Sequence, residues 1–192
     1  MSYIQISRND IGLDIHELLK CFYGSVFIAI SSQLSVQTWP IPFTMQTLSI
    51  LLTASVLGTR MGLYTVMLFL FEGAIGIPVF SGFYSGITRL LGPTGGYLIG
   101  FVPAVFFVGK LLEESESRGF WRVLWIGFIG EITIMICGFL HLANFVGFTN
   151  ALAYGVTPFL LTDLFKLIMF VLLTYCSKTD GHLLKAARKV RI

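Results

Sequence analysis

Apolar residues along the chain gather into six runs, separated by short segments that are polar or rich in glycine and proline. The runs cover residues 18–37, 45–57, 61–80, 93–112, 121–142 and 157–177. A helix needs about 20 mostly apolar residues to cross the hydrocarbon of a bilayer, and all runs but the second approach that length. The second helix is therefore expected to be tilted, interrupted or extended by polar residues. The pattern predicts six transmembrane helices.

The segments between the runs contain residues that end helices. Glycine, proline or a run of charges occurs at residues 39–42, 58–60, 92–93, 113–118 and 157–158. Glycine and proline are the strongest local interruptions of a helical pattern. The six runs are therefore predicted to be separate helices.

Composition argues against a soluble domain. Charged residues make up 12% of the chain and hydrophobic residues 55%, whereas soluble domains carry about 25% charged residues. We predict an all-α polytopic membrane protein with one membrane domain at residues 18–178. A cytoplasmic segment at 1–17 precedes it, and a basic cytoplasmic tail at 179–192 follows. Acidic residues within 1–17 argue against a cleavable signal peptide.

The basic residues predict the orientation of the chain. With the N-terminus in the cytoplasm and six crossings, only Arg89 of the thirteen Lys and Arg residues falls in an exterior segment. Lys166 falls within the sixth run, and the others are cytoplasmic or at cytoplasmic helix ends. Cytoplasmic loops carry an excess of Lys and Arg. Both termini are therefore predicted to be cytoplasmic.

Away from their ends, the apolar runs contain four charged residues: Glu72, Glu131, Asp163 and Lys166. Such residues are costly in a bilayer and usually mark a site or pair with one another. Asp163 and Lys166 are three positions apart, so they share a helix face. They form either an internal ion pair or a site for a ligand that carries both kinds of polar group. Glu72 and Glu131 could be protonated, hydrogen-bonded, paired with a base of another helix or part of a proton relay.

Depth favours the ligand site for Asp163 and Lys166. In the predicted orientation both lie in the outer half of the sixth helix, and Arg89 lies in the exterior segment before the fourth. Tyr97 and Gln46 lie near the exterior ends of the fourth and second helices. Four segments thus bring these five polar residues to one level of the membrane, which predicts a pocket open to the outside.

Glycine and aromatic residues flank the predicted pocket. Gly95 and Gly96 begin the fourth helix, where they allow either close helix packing or close approach of a ligand to free backbone N–H groups. Phe80, Phe83 and Tyr84 could form the apolar underside of a lid at residues 81–92, or merely pack. The three cysteines have no metal-site spacing, and no metal or cofactor is expected.

Four segments of the chain resemble the signatures of the BioY family of biotin transporters. They are residues 40–48 (PIPFTMQTL), 73–80 (GAIGIPVF), 91–101 (LGPTGGYLIGF) and 158–166 (PFLLTDLFK). The resemblance extends from about residue 20 to 178, with the motifs in order and at the family's usual separations.

The resemblance implies a six-helix membrane fold that binds biotin near the outer face and mediates its uptake. It also implies location in the bacterial inner membrane and no enzymatic activity. Such proteins often act as the S component of an energy-coupling factor (ECF) transporter, with a membrane coupling protein and two cytoplasmic ATPases as partners. Others are thought to act alone. No nucleic acid is implied, and self-association stays open.

Biotin fits the predicted pocket chemically. Asp163 could accept hydrogen bonds from the ureido N–H groups, and Lys166 or Arg89 could pair with the tail carboxylate or the ureido oxygen. Tyr97 and Gln46 could complete the hydrogen bonding. The resemblance thus suggests ten substrate-contacting positions: Gln46, Phe80, Phe83, Tyr84, Arg89, Gly95, Gly96, Tyr97, Asp163 and Lys166.

The resemblance also suggests where a coupling protein would dock. S components often carry two alanines four positions apart on the first helix, and the counterpart here is Ser25 and Ala29, preceded by Gly24. The usual pair of alanines is missing. The chain has no P-loop, so ATP-driven transport would need another subunit. Transport of another vitamin, or an intramembrane enzyme using Glu72, Glu131 or His141, are the alternatives.

Overall fold

The structure is a computed structural model that describes residues 14–115 and 119–189, with side chains described as far as residue 175. It is a bundle of helices, which confirms the predicted all-α class, and it has one small β-hairpin. The helices are α1 (Ile15–Gln33), α2 (Gln46–Ala74), α3 (Ile87–Leu91), α4 (Gly95–Glu113), α5 (Phe120–Val146), α6 (Phe148–Gly155) and α7 (Phe159–Lys189). Strands β1 (Ser35–Val36) and β2 (Phe43–Thr44) pair antiparallel.

Helix α2 contains both the second and the third predicted helix. Gly58 interrupts it with a φ of 74°, outside the helical region. A Cβ atom at Gly62 would lie 3.6 Å from the Cα atom of Ala54, although eight residues span about 12 Å along a straight helix. The chain therefore reverses at Gly58, and the two halves of α2 pack against each other.

The turn at Gly58 is fixed by the last residue of α4. The Glu113 carboxylate accepts hydrogen bonds of 2.7 Å from both the N–H group and the hydroxyl group of Thr59. These bonds satisfy donors that a helix start leaves free. The turn and the end of α4 thus lie at the same end of the bundle, called here the Gly58 end. The opposite end, where α4 begins and α5 finishes, is called the pocket end.

Close packing of α4 on α5 depends on glycines. A Cβ atom at Gly96 would lie 2.3 Å from the Cβ atom of His141 and 2.6 Å from the carbonyl oxygen of Cys137. One at Gly100 would lie 2.9 Å from the Cβ atom of Cys137. Small residues allow membrane helices to approach this closely.

The surface of the bundle is apolar over much of its area. Trp121 and Leu161 are 71% and 78% exposed, which a soluble protein tolerates only in small patches. Within the described residues, α2, α4 and α5 are long and apolar enough to span a membrane, and α6 with α7 would make a fourth, bent span. The protein is therefore a polytopic membrane protein, while the count of six crossings stays a prediction.

Several features depart from the sequence prediction. Helices α3 and α6 and the hairpin were not predicted. Helix α6 meets α7 at an angle of 47°. Helix α7 continues to Lys189, so much of the segment predicted as a basic tail is helical. The predicted N-terminal segment at 1–17 lies mostly outside the described residues.

Candidate ligand-binding cavity

A cavity opens at the pocket end, where the first turn of α2 faces α4, α5 and α7. Its volume is about 70 Å³ for the centre of a water molecule, and about 750 Å³ when all space between atoms and the open solvent at the mouth are included. Its polar lining residues are Thr44, Gln46, Thr47, Ser81, Arg89, Thr94, Tyr97, Glu131, Asp163 and Lys166. Its larger apolar lining residues are Ile41, Phe80, Leu98, Phe101, Ile134, Met135 and Phe159.

Asp163 and Lys166 form an ion pair within this lining. The Lys166 ammonium group donates to Oδ1 of Asp163 at 2.7 Å and to Oγ1 of Thr47 at 2.9 Å. Lys166 is 4% exposed, so both contacts are largely shielded from solvent. Attraction between charges is stronger in such a low-dielectric setting than in water. The pair ties α7 to the start of α2 and also presents charged groups to the cavity.

Two buried polar atoms of the lining have no hydrogen-bond partner among the described residues. They are Nε2 of Gln46 and Oε1 of Glu131, on side chains that are only 4% and 5% exposed. Buried polar groups in native proteins are nearly always hydrogen-bonded. The cavity thus carries an unsatisfied donor and an unsatisfied acceptor, as expected of a site that a polar ligand completes.

Aromatic side chains shape the walls. The Tyr97 hydroxyl donates to the carbonyl oxygen of Gly155 at 2.7 Å, which holds the end of α6 against α4. The Tyr97 ring stacks on Phe159 with centroids 6.4 Å apart, and Phe159 in turn contacts Phe43 at 4.5 Å. On another side, the buried Phe80 packs edge-on against Phe69. The walls therefore offer flat apolar surfaces between the polar groups.

Arg89 lies on the short helix α3, in the segment that borders the cavity mouth. Its guanidinium carbon is 3.4 Å from the centroid of the Tyr84 ring, a cation–π contact. Among the described side chains, no carboxylate forms an ion pair with Arg89. The guanidinium group is therefore available to an anion.

The segment that carries Arg89 is held to the rest of the bundle by two glutamine side chains. Nε2 of Gln33 donates to the Phe80 carbonyl at 3.1 Å, and Oε1 of Gln33 accepts from the Phe83 N–H group at 3.0 Å. Nε2 of Gln37 donates to the hydroxyl of Ser81 at 2.8 Å. The segment predicted as a lid thus lies across the pocket end, anchored to α1 and to the hairpin.

The cavity brings together six of the ten substrate positions suggested by sequence: Gln46, Phe80, Arg89, Tyr97, Asp163 and Lys166. The other four do not line it. Phe83 is 71% exposed, and Tyr84 supports Arg89 from outside the lining. Cβ atoms at Gly95 and Gly96 would meet Leu90 and His141, so both positions are closely packed, and contact of their backbone with a ligand stays a prediction.

The suggested docking positions on α1 face the interior of the bundle. Ser25 is fully buried and donates a hydrogen bond to the carboxylate of Glu72. A Cβ atom at Gly24 would lie 2.7 Å from the Cγ2 atom of Thr65. Ala29 packs, partly buried, against the core. Ser25 is therefore closed to a partner, whereas Gly24 and Ala29 are partly exposed and docking there stays a prediction. Glu72 has a hydrogen-bond partner inside the bundle.

Sequence reasoning missed part of the lining. Glu131 was recognised as an intramembrane charge, but it was not assigned to the pocket because its depth appeared to be nearer the middle of the bilayer. Its neighbours Ile134 and Met135 lie on the same face of α5, three and four positions further on. That spacing could have placed the three residues together. It could not have shown which helices they face.

The comparisons with known proteins agree with one another. A model described as the BioY family matches residues 6–180. The probable biotin transporter BioY of Pyrococcus horikoshii is 40% identical over 145 residues, covering 74% of this chain and 85% of that protein. The biotin transporter BioY of Thermotoga maritima is 33% identical over 163 residues, covering 83% and 94%.

A solved structure supports the fold. The crystal structure of the S-component for biotin from an ECF-type ABC transporter superposes with a TM-score of 0.75 at 24% identity, covering 88% of this chain and 95% of that one. At that identity the likeness concerns the fold alone. The family match and the sequence relatives carry the assignment, and the chain belongs to the BioY family.

Proposed function

We propose that this protein binds biotin in the cavity at the pocket end and mediates biotin uptake across the membrane. The observation that carries the proposal is the cavity lining, in which charged and amide groups alternate with flat aromatic walls. Membership of the family and the names of the relatives point to the same ligand.

Biotin has the chemistry that this lining requires. Its ureido group has two N–H donors and a carbonyl acceptor, its fused rings are apolar, and its tail ends in a carboxylate. Asp163 accepts from one ureido N–H group, and Gln46 donates to the ureido oxygen. Arg89 binds the tail carboxylate at the mouth, since Lys166 is already engaged by Asp163 and Thr47. A site built on such hydrogen bonds rejects analogues that lack them.

The proposal includes six crossings and cytoplasmic termini. Support comes from the reversal at Gly58, which divides α2 into two antiparallel segments, and from the contact between Thr59 and Glu113 at one end of the bundle. The excess of Lys and Arg in the segments assigned to the cytoplasm agrees with this orientation. The cavity then opens to the exterior of the inner membrane of a bacterial cell.

We further propose that transport uses an ECF coupling protein and two cytoplasmic ATPases. The likeness in fold to an S component supports this partnership. A solitary transporter is the other outcome that the experiment below distinguishes. Because Ser25 is buried, a docking surface on α1 would have to be formed by other residues.

Binding and uptake are tested separately. Isothermal titration of the purified full chain with biotin should give a saturable curve that other vitamins do not displace. No binding of biotin, or equal competition by another vitamin, would contradict the proposal. Uptake of labelled biotin is then measured in a biotin-requiring host that expresses the chain with and without the coupling subunits. Uptake only with those subunits supports the ECF partnership, and uptake by the chain alone contradicts it.

A further inference from the structure

Glu131 occupies a particular position in the cavity. Helices α4, α5 and α7 each contribute lining residues at several depths. On each helix one lining residue lies nearest the Gly58 end: Phe101 on α4, Glu131 on α5 and Lys166 on α7. Gly130, beside Glu131, packs against Leu51 and Val108 in the apolar core. Phe101, Glu131 and Lys166 therefore form the floor of the cavity. Glu131 thus places a buried carboxyl group next to the apolar core, where an unpaired polar group is costly.

The partners of Glu131 within the protein do not account for it. Its Oε1 atom has no hydrogen-bond partner among the described residues. Lys166, also on the floor, bonds instead to Asp163 and Thr47. The matched case is Glu72, the other carboxyl inside the apolar runs without a nearby base, which has Ser25 as its hydrogen-bond donor. A buried group left without a partner costs about 1–3 kcal/mol, so the protein would be more stable without Glu131.

A second unsatisfied atom lies in the same lining and has the opposite role. Nε2 of Gln46 is a donor, and Oε1 of Glu131 is an acceptor. The third unsatisfied buried atom in the described part of the chain, Oγ1 of Thr174, does not line the cavity. A cyclic urea carries N–H donors on both sides of a carbonyl acceptor, so it can satisfy a donor and an acceptor at once.

We propose that Glu131 is a ligand-contacting, specificity-determining residue that accepts a hydrogen bond from the second ring N–H of the ligand's urea on the cavity floor. This inference rests on the proposed function, because it takes the ligand to be biotin. Asp163 accepts from the first N–H, and Gln46 donates to the urea oxygen between them.

The test is calorimetric titration of the full chain, solubilised or in nanodiscs, with biotin, biotin methyl ester and desthiobiotin. All three ligands keep the urea; the ester lacks the anion, and desthiobiotin lacks the sulfur ring. Glu131→Leu should weaken all three by at least tenfold, or about 1.4 kcal/mol, and by similar factors. Arg89→Gln should weaken biotin but not the ester. Glu72→Gln is the matched control and should leave all three affinities within twofold of wild type.

Stability separates a binding role from a structural one. The apparent melting temperature of ligand-free Glu131→Leu should equal or exceed that of the wild type, because an unsatisfied polar group has been removed. If that variant does not fold, Glu131→Met decides, because methionine has a similar length but no carbonyl oxygen: a loss of biotin affinity of tenfold or more supports the inference.

Three results would overturn the inference. The first is wild-type biotin affinity in the folded Glu131 variants. The second is a loss of affinity in these variants that is seen with biotin but not with its methyl ester. The third is a lower melting temperature of a Glu131 variant with unchanged biotin affinity. Absence of biotin binding by the wild type would instead contradict the proposed function, so the two failures are distinguishable.

Discussion

The contact between α4 and α5 and the contact between α2 and α7 solve different physical problems. Where α4 meets α5, Gly96 and Gly100 bring the helices so close that no added methyl group fits. Where α2 meets α7, the contact is a polar bond from Lys166 to Thr47 beside an open cavity. The first contact is stabilised by dense packing. The second borders the cavity in which Nε2 of Gln46 and Oε1 of Glu131 have no hydrogen-bond partner among the described residues. Tight packing stabilises the bundle, and polar atoms without hydrogen-bond partners leave groups that a ligand can bind.

Helix α4 takes part in both regions. Gly96 and Gly100 face α5, while the adjacent Tyr97 and Phe101 line the cavity. Successive residues on a helix point about 100° apart, so neighbouring positions can have unrelated roles. Substitutions on the two faces should therefore separate stability from binding.

The largest effect is expected on the packing face. Gly96→Val should reduce the free energy of unfolding by about 3 kcal/mol, because α5 must move to admit the side chain. Thermal unfolding of the solubilised protein measures the loss. Gly119→Ser is the control, since no atom of the described residues lies within 4 Å of a Cβ atom there and serine suits the position before a helix. A Gly96→Val variant that melts like the wild type would contradict the packing role.

On the face that lines the cavity, the largest losses of biotin affinity are expected from changes to the ion pair between Asp163 and Lys166. Asp163→Asn and Lys166→Ala should each weaken biotin binding by at least tenfold, or about 1.4 kcal/mol, while the variants remain folded. Calorimetric titration measures the change. Lys110→Ala is the matched control, because Lys110 forms an exposed ion pair with Glu114 at 3.9 Å and lies far along α4 from the cavity. Wild-type affinity in both cavity variants would refute the site assignment.

A smaller effect is expected at the mouth. Arg89→Gln should weaken biotin binding by about three- to tenfold, because a partly exposed charge contributes less than a buried one. The loss should shrink as salt concentration rises, since salt screens the attraction of an exposed charge for the ligand carboxylate. Titration at two ionic strengths measures it. Equal affinities of the wild type and the variant at low salt would show that Arg89 does not bind the tail.

The smallest effect is expected just outside the lining. Phe83→Ala should change biotin affinity by less than twofold, because the Phe83 side chain is exposed and does not border the cavity. Phe80→Ala provides the comparison, since Phe80 borders the cavity and packs on Phe69. A large loss in Phe83→Ala would place its ring over the ligand, as the lid hypothesis first suggested.

Much of the fold and part of the candidate site could be predicted from sequence. Apolar runs gave the positions of the long helices, and the interruption at Gly58 was visible as a Gly-Thr-Arg break. Helix α6 was not recognised because residues 148–155 are too few for a span and follow α5 directly. The motif residues Asp163 and Lys166 could be paired because their spacing puts them on one helix face.

The partners of each polar group could not be predicted in this way. Glu72 and Glu131 look alike in sequence, each an acid within an apolar run. Only the packing of α1 against α2 gives Glu72 the hydroxyl of Ser25, and only the cavity leaves Oε1 of Glu131 without a partner. Likewise, only the structure shows that the Leu90 carbonyl packs against Gly95 and His141 against Gly96.

The sequence by itself determined that this protein is a helical membrane protein. The length of an apolar segment and its low charge are local properties, and they decide whether a helix can span a bilayer. Its motifs also determined the family. The tertiary structure decided which polar residues share a cavity and which are already satisfied. Hydrogen bonding depends on distances between helices, and residues as far apart as Thr47 and Lys166 meet only when the bundle has formed.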